Sequence, residues 1–222
     1  MATVLVIGAS RGIGLEFVRQ YREAGDRVIA TARDDAALEQ LRVCGATPMR
    51  LDVASAPSVA GLAWSLEGEK IDVALYVAGV MDRTGAKSPP TDVEFDRVMH
   101  TNVLGAMQAI PQVAPLVEAA RGRFVFLSSR MGCCGLADGA SAWTYRVSKA
   151  ALNMAVAAGR HDYPGAILVA MSPGWVKTDM GGDQAPLTVQ ASVDSMRQAI
   201  SRLTPAQSGA FLDYDGTPFP TW

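Results

Sequence analysis

The sequence predicts an α/β fold in which helices cover both faces of a parallel sheet. Short apolar runs of strand length alternate along the whole chain with longer amphipathic runs of helix length. The strand candidates are almost continuously apolar, which is typical of strands buried on both faces. Since crossovers between parallel strands are right-handed, this alternation predicts a doubly wound Rossmann-type sheet, seven-stranded and mostly parallel.

Glycines and aspartates indicate where the first strands and helices begin and end. Thr3–Ile7 is an apolar run that stops at a glycine, which predicts a buried strand. Residues 14–24 form an amphipathic stretch that also ends before a glycine, as helices commonly do. Arg27–Ala32 predicts the second strand. Residues 34–43 predict a helix with Asp34 or Asp35 as its N-cap.

The middle of the chain continues the same alternation. Residues 47–53 predict the third strand, and residues 71–77 predict the fourth. Between them, residues 55–66 predict a helix, with Ser55 as its N-cap and a proline in its first turn.

A long helical stretch covers residues 93–120 in the second half of the chain. Pro111 and Pro115 lie inside it and predict a kink or break. The remaining predicted elements are a strand at 123–128, a helix at 142–159, a strand at 165–171, a helix at 188–203 and a strand at 209–214.

The composition limits the kind of protein. A length of 222 residues with 49% hydrophobic residues predicts one well-packed domain over residues 1–222. The net charge of −2 and the absence of a basic run argue against nucleic acid as a partner. The apolar runs are too short to span a membrane, and we expect no secretory signal. Three cysteines without CxxC spacing predict no metal site and a cytoplasmic location.

A glycine-rich loop, Gly8-Ala9-Ser10-Arg11-Gly12-Ile13-Gly14, joins the first strand to the first helix. We interpret Gly8 as allowing a tight turn, Gly12 as letting a phosphate approach the backbone, and Gly14 as allowing close helix packing. The free N–H groups of a helix N-terminus favour an anion, so the loop predicts a site for a dinucleotide pyrophosphate. The alternative is a glycine-rich turn without a ligand.

Basic residues at the end of the second strand suggest which dinucleotide binds. Arg33 stands 19 residues beyond the last glycine of the loop, where an acidic residue contacts the ribose of NAD. Together with Arg11, it predicts a preference for NADP(H), with NAD(H) still possible. Asp34 and Asp35 weaken this inference unless they begin the next helix. Asp52 is placed to accept a hydrogen bond from the adenine amino group, or merely to end a strand.

The sequence Tyr145-Arg146-Val147-Ser148-Lys149 places a phenol and an ammonium four residues apart. On a helix, this spacing puts both side chains on one face. A nearby positive charge favours the phenolate and lowers the pKa of a tyrosine. We therefore interpret Tyr145 and Lys149 as a proton donor and acceptor for an alcohol or carbonyl. Taken alone, the same spacing also occurs on solvated helix faces.

These motifs occur in an order that resembles the short-chain dehydrogenase/reductase family over essentially the whole chain. Within the family, the sequence looks most like the branch that contains C-factor and sniffer-like carbonyl reductases. The matching motifs are Gly8-x-x-x-Gly12-x-Gly14, Ala78-Gly79, Thr101-Asn102-Val103, Leu127-Ser128-Ser129, Tyr145-x-x-x-Lys149 and Ser172-Pro173-Gly174.

The resemblance implies hydride transfer between a nicotinamide and a carbonyl or secondary alcohol, and it assigns four catalytic residues. Tyr145 would be the general acid or base, and Lys149 would lower its pKa and contact the nicotinamide ribose. Ser129 would polarise the substrate oxygen, and Asn102 would hold a water in a proton relay. The predicted cofactor-binding residues are Gly8, Ser10, Arg11, Gly12, Ile13, Gly14, Arg33, Asp52, Val53, Ala78, Gly79, Tyr145, Lys149, Pro173, Gly174, Val176 and Thr178.

Two departures from the family pattern stand out. The fourth strand often ends Asn-Asn-Ala-Gly in the family, whereas this chain has Tyr76-Val77-Ala78-Gly79. Ser129 and Tyr145 are 16 residues apart, more than the usual spacing of about thirteen, and the intervening loop is expected to line the substrate pocket. The substrate is expected to be a small carbonyl or alcohol compound, and the chain is expected to form a homodimer or homotetramer.

Two other functions are compatible with the fold. A dinucleotide-binding sensor or signalling protein with little turnover is the main alternative, although a tuned Tyr–Lys pair is unnecessary for sensing. An epimerase or dehydratase acting on a nucleotide sugar fits poorly, because no second domain is predicted to hold the nucleotide.

Overall fold

The computed structural model describes residues 1–222 and contains one seven-stranded sheet. Its strand order is β3-β2-β1-β4-β5-β6-β7, and every neighbouring pair is parallel. The fold-class prediction is therefore confirmed. The strands are β1 Thr3–Ile7, β2 Arg27–Ala32, β3 Thr47–Arg50, β4 Val73–Tyr76, β5 Arg123–Leu127, β6 Ile167–Met171 and β7 Phe211–Leu212.

Eight α-helices lie along the chain between and after the strands. They are α1 Gly12–Glu23, α2 Asp35–Val43, α3 Ala56–Ala60, α4 Leu62–Ser65, α5 Asp92–Met99, α6 Gly105–Ala119, α7 Trp143–Gly159 and α8 Val189–Ser201. None of them is both long enough and apolar enough to cross a membrane.

The sheet separates two hydrophobic cores of equal size. One core packs α1, α2 and α8 against the sheet, with Phe17, Leu41 and Met196 fully buried. The other packs α3, α4, α6 and α7 against the opposite face, with Val113 and Leu152 among its buried residues. Each such side chain contributes roughly 1.5–3 kcal/mol of burial free energy, which explains why the strands are apolar on both faces.

The helical stretch predicted at 93–120 is interrupted, but not at its prolines. Helix α6 continues through Pro111 and Pro115. The interruption is a π-helical turn at His100–Leu104, between α5 and α6. Such turns are frequent at functional sites, because the extra residue re-aims side chains. Here the turn places Asn102 in the interior, where it is fully buried.

Two other elements differ from the prediction, and one predicted cap is found. The helix expected at 55–66 is divided into α3 and α4, and Ser55 makes no capping hydrogen bond with its side chain. Strand β7 has only two residues, because the chain turns back and Leu212 pairs antiparallel with Pro218. Asp34 does cap α2, since its side chain accepts a hydrogen bond from Ala37 N at 2.9 Å.

The strand order also locates the functional cleft. Chain connections run in opposite directions from β1 and β4, which are neighbours in the sheet. In open α/β sheets, ligands bind outside the carboxyl ends of the strands at such a switch point. Gly8 follows β1, and Ala78 and Gly79 follow β4, so these predicted residues meet at that point.

Candidate active site

A cleft of about 480 Å³ lies at the carboxyl ends of the strands. It brings together most of the residues that the sequence predicted. Those that line it are Gly8, Ser10, Arg11, Gly12, Ile13, Gly14, Arg33, Asp52, Val53, Ala78, Gly79, Tyr145, Lys149, Pro173 and Thr178.

Two glycines of the loop lie where any side chain would clash with the backbone. Gly8 has φ +90°, and a Cβ there would lie 2.6 Å from Ala78 N. A Cβ on Gly14 would lie 2.2 Å from the carbonyl oxygen of Gly8, so this glycine lets α1 approach the loop closely. A Cβ on Gly12 would meet only Thr178 Cγ2, at 3.7 Å. The space in front of Gly12 and the N-terminus of α1 therefore fit a pyrophosphate.

The charges at the adenosine end of the cleft are arranged around Arg33. Its side chain is exposed, and its carbonyl oxygen accepts a hydrogen bond from the Arg50 guanidinium, which also pairs with Asp35. Asp34 is engaged as the cap of α2. Both aspartates therefore have other partners, and of Arg33, Asp34 and Asp35 only Arg33 lines the cleft.

Arg11 is oriented differently from the sequence prediction. Its guanidinium forms an ion pair with Asp179 at 2.7 Å across the mouth of the cleft, and both side chains are more than three-quarters exposed. Asp52 lies two residues beyond β3 and accepts a hydrogen bond from Ala54 N at 3.0 Å. It also lines the cleft, so the predicted contact with adenine stays compatible with its position.

Tyr145 and Lys149 lie one turn apart on α7, as the spacing predicted, and both are buried. Lys149 Nζ is 5.5 Å from the centroid of the Tyr145 ring and donates a hydrogen bond to Leu127 O at 2.7 Å. Burial lowers the pKa of Lys149 to about 7. Burial raises the pKa of Tyr145 to about 12, and a hydrogen bond with Ser129 acts to lower it.

Burial therefore dominates the pKa of Tyr145 in the protein on its own, and the lowering of that pKa by Lys149 together with the cofactor stays a prediction. Both groups are withdrawn from water, which disfavours the phenolate and the ammonium alike. The phenol is protonated at neutral pH, which is the form that donates a proton to a carbonyl oxygen.

The two serines after β5 have separate partners. Ser129 lies beside Tyr145, and its hydroxyl accepts a hydrogen bond from Met131 N at 3.1 Å. Ser128 donates to Asn153 Oδ1 at 2.5 Å and is buried. Ser129 is therefore the serine next to the predicted acid, despite the longer spacing to Tyr145.

Asn102 lies behind the cleft wall and not on its surface. Its Nδ2 donates to Val80 O at 2.8 Å and to Ser148 Oγ at 2.9 Å, and its Oδ1 accepts from Val80 N at 2.8 Å. Both amide hydrogens are thus committed to the protein. The side chain clamps the loop after β4, and the predicted role of holding a water stays a prediction.

Tyr76, which stands where the family often has an asparagine, contacts the turn that carries Asn102. Tyr76 is fully buried, and its hydroxyl donates a hydrogen bond to Thr101 O at 2.8 Å. This bond braces the π-helical turn from the strand side. The tyrosine therefore supports the turn that carries Asn102.

Some predicted residues lie just outside the cleft, and others were missed. Val176 is buried and pairs with Leu187, and Gly174 packs beneath Leu187 and Tyr214. All of the missed lining residues except Val189 lie within two positions of a predicted residue, and several of them end or follow a strand, which was the available signal. Val189 begins α8 and had no such signal. The missed residues include Thr31, Ala32, Leu51, Val77, Val80, Thr101, Leu127, Ser128, Lys177, Asp179, Met180 and Val189.

Comparison with known proteins identifies the family. The profile of the family described as short chain dehydrogenase matches residues 2–186. The chain belongs to this family. It is therefore an oxidoreductase of the kind that transfers a hydride to or from a nicotinamide dinucleotide, as the sequence motifs indicated.

Two curated relatives are similar over much of their length. The chain is 34% identical over 236 residues to the 1-hydroxy-2-glutathionyl-2-methyl-3-butene dehydrogenase of Rhodococcus sp. (strain AD45), covering 100% of both chains. It is 38% identical over 153 residues to the C-signal of Myxococcus xanthus, covering 68% of this chain and 92% of that protein.

Two solved structures share the whole fold. The carbonyl reductase Sniffer of D. melanogaster has a TM-score of 0.92 and 28% identity, with 100% of both chains covered. A short-chain dehydrogenase/reductase from Burkholderia multivorans with bound NADP has a TM-score of 0.88 and 27% identity, covering 100% and 99%. Similarity to both C-signal and Sniffer confirms the branch that the sequence resembled.

Proposed function

We propose that the protein is an NADP(H)-dependent oxidoreductase that transfers a hydride between the nicotinamide and a carbonyl or secondary alcohol. The observation that carries the proposal is the buried pair of Tyr145 and Lys149 in the same cleft as the glycine loop. A phenol that remains protonated at neutral pH suits carbonyl reduction, with alcohol oxidation as the reverse reaction.

Each side chain of the site has a separate task in this proposal. The nicotinamide dinucleotide supplies the hydride when it is bound. Tyr145 donates its phenolic proton to the carbonyl oxygen, and Ser129 donates a hydrogen bond to the same oxygen. Lys149 contacts the ribose, and its ammonium, when protonated, stabilises the phenolate that remains after proton transfer. Asn102 holds the loop after β4 in place.

The preference for NADP(H) rests on Arg33. An exposed guanidinium at the end of β2 fits a 2′-phosphate, while Asp34 and Asp35 are engaged elsewhere. The NADP bound in the Burkholderia structure supports the same choice.

We further propose that two or four copies of the chain associate through α6 and α7. These helices expose the apolar side chains of Met107, Val147 and Met154, and Leu104 just before α6 is exposed as well. Exposed apolar patches of this kind mark interaction surfaces. The cytoplasmic location stays a prediction, supported by three cysteines that are all free.

A sensor or signalling protein with little turnover remains the second candidate. Similarity to the C-signal of Myxococcus xanthus favours it. The Tyr145–Lys149 pair argues against it, because a protein that only binds a dinucleotide has no use for a proton donor aligned with the cleft.

Fluorescence titration with NADPH and NADH tests the proposal first, on the wild type and on Arg33→Ala. Tighter binding of NADPH than NADH, with selective weakening of NADPH in the variant, is the expected result. Arg42→Ala is the matched control, because Arg42 is exposed on α2 and pairs only with Glu39. A panel of carbonyl substrates with NADPH then distinguishes turnover from sensing; binding without turnover of any substrate would favour the sensor.

A further inference from the structure

The first turn of the catalytic helix α7 has no cap of its own. The residue before it, Ala142, is buried and has φ +55° and ψ +49°, a left-handed conformation that is uncommon for alanine. Ala142 has no side-chain oxygen to accept from the free N–H groups of the helix. In most helices, a serine, threonine, aspartate or asparagine at this position accepts from the second or third N–H group.

The missing cap comes from a loop some 60 residues earlier in the sequence. Asp82 Oδ1 accepts a hydrogen bond from Tyr145 N at 2.8 Å, which is the third N–H group of α7. Thr84 O accepts from Trp143 N at 3.0 Å, the first N–H group. Thr84 Oγ1 also donates to Asp82 Oδ2 at 2.7 Å, so both carboxylate oxygens of Asp82 are occupied.

Asp82 is a buried carboxylate without a cationic partner. It is 4% exposed and forms no salt bridge. A buried charge normally needs a partner, hydrogen bonds or a favourable dipole. The donors on Tyr145 and Thr84 and the positive end of α7 provide this compensation. A carboxylate kept in such a position indicates a specific structural task.

The same loop contacts the other predicted catalytic groups. Its first residues follow β4, where Asn102 clamps Val80 through both backbone groups. A Cβ on Gly79 would lie 3.4 Å from Asn102 Oδ1 and 3.5 Å from Lys149 Nζ. The loop at 79–84 therefore joins the π-helical turn, the lysine and the start of the helix that carries the tyrosine.

We propose that Asp82 is a positioning residue that fixes Tyr145 in the cleft by capping α7 from the loop after β4. The inference rests on the proposed function for its effect on catalysis, but not for its effect on the helix. Asp82 does not line the cleft that would hold the cofactor. Its influence reaches the phenol through the backbone of Tyr145.

Three variants test the proposal by steady-state kinetics with NADPH. In Asp82→Ala, kcat is expected to fall about 10- to 100-fold, because small misplacements of a reacting group have effects of this size. The Kd for NADPH is expected to change less than about twofold, since the glycine loop is intact. Asp82→Asn keeps an acceptor for Tyr145 N and should restore most of kcat. Asp96→Ala, an exposed aspartate on α5, is the matched control.

Two results would overturn the proposal. One is a wild-type kcat in Asp82→Ala. The other is an Asp82→Asn variant as impaired as Asp82→Ala, which would mean that the charge matters and not the cap. If Asp82→Ala does not fold, Thr84→Val removes only the donor to Asp82 Oδ2, and a smaller loss of kcat at constant KM is expected.

Amide hydrogen exchange separates this inference from the proposed function. Exchange at Tyr145 N should accelerate about 5- to 30-fold in Asp82→Ala, as for a lost helix cap, and should be near the wild-type rate in Asp82→Asn. This readout needs no substrate. If the wild type reduced no carbonyl but exchange at Tyr145 N still accelerated in Asp82→Ala, the proposed function would be refuted and the capping role of Asp82 would be supported. Unchanged exchange in Asp82→Ala would refute the cap.

Discussion

Lys149 Nζ lies 5.5 Å from the centroid of the Tyr145 ring, and both side chains are buried at the inner end of the cleft. Their burial favours the neutral phenol and the neutral amine. On a solvated helix face, the tyrosine would also be a neutral phenol at pH 7, but the lysine would be charged. Burial therefore brings the pKa of Lys149 close to neutrality, where another charge in the cleft can change its protonation state.

Replacement of Tyr145 by phenylalanine tests its role as the proton donor. In Tyr145→Phe, kcat for carbonyl reduction should fall about 10²- to 10⁴-fold, because the general acid is lost while the ring still fills its place. NADPH binding, followed by fluorescence, should remain close to that of the wild type. Tyr163→Phe is the control, since Tyr163 follows the C-terminal end of α7 and does not line the cleft. Undiminished turnover in Tyr145→Phe would refute the mechanism.

Lys149 should make the stability of the protein depend on pH. Its folded-state pKa of about 7 lies below its ordinary value of 10.5, so the unfolded state binds more protons between these values. The free energy of unfolding should therefore rise with pH from about 7 to about 10, by at most about 1.4 kcal/mol per pH unit. Urea denaturation at pH 7, 8 and 9 measures the slope. Lys149→Met should reduce it and Lys70→Met, at an exposed position, should not; equal slopes would contradict the assignment.

Alanine substitutions at two glycines of the loop should have different effects, one on stability and the other on cofactor binding. In Gly14→Ala, the methyl group would clash with the backbone of Gly8, so we expect a loss of about 1–3 kcal/mol of unfolding free energy or more. Gly12→Ala should lose only about 1 kcal/mol, because open space surrounds that position despite its φ of +53°. Its methyl group would instead occupy the phosphate site. Urea denaturation and NADPH titration on both variants check this; a Gly12→Ala variant that binds NADPH normally would place the pyrophosphate elsewhere.

The ion pair between Arg11 and Asp179 should weaken NADP(H) binding. The Asp179 carboxylate engages the guanidinium at 2.7 Å and adds negative charge at the mouth of the cleft. Asp179→Asn should therefore lower the Kd for NADPH about two- to fivefold, the range expected for one exposed ion pair, with a larger effect at low salt. Asp183→Asn, in the same segment and without an ion pair, serves for comparison. A Kd that stays the same or rises would show that Arg11 does not contact the cofactor.

Tyr76 should stabilise the π-helical turn through its hydroxyl. Tyr76→Phe removes the hydrogen bond that the buried hydroxyl donates to Thr101 O, which should lower the unfolding free energy by about 0.5–1.5 kcal/mol. Thermal or urea denaturation measures the change. Tyr163→Phe should have little effect, because no hydrogen bond holds its hydroxyl. Equal stability of Tyr76→Phe and the wild type would mean that the turn does not depend on this bond.

The sequence by itself determined the parallel α/β fold and most of the cleft. Apolar strands alternate with amphipathic helices, and both patterns are local, so they can be recognised without knowledge of the tertiary contacts. The glycine loop and the Tyr145–Lys149 spacing are local for the same reason. Their position at strand ends and on one helix face followed directly from secondary structure. The interruption at His100–Leu104 was not predicted, because its hydrogen-bond pattern has no signal as strong as a proline.

The tertiary structure decided the protonation states and side-chain partners of the site, because both depend on contacts between residues that are far apart in the sequence. Burial, and not the neighbouring charge, sets the pKa of Tyr145 and of Lys149, and burial depends on the whole fold around α7. Arg11 meets Asp179 across 168 residues of sequence, and Asp82 meets Tyr145 across 63. Side-chain partners so far apart leave no periodic signal in a single sequence. The sequence was sufficient to identify the chemical groups of the cleft. The packing of the folded chain determined their charge states and the contacts that hold them in place.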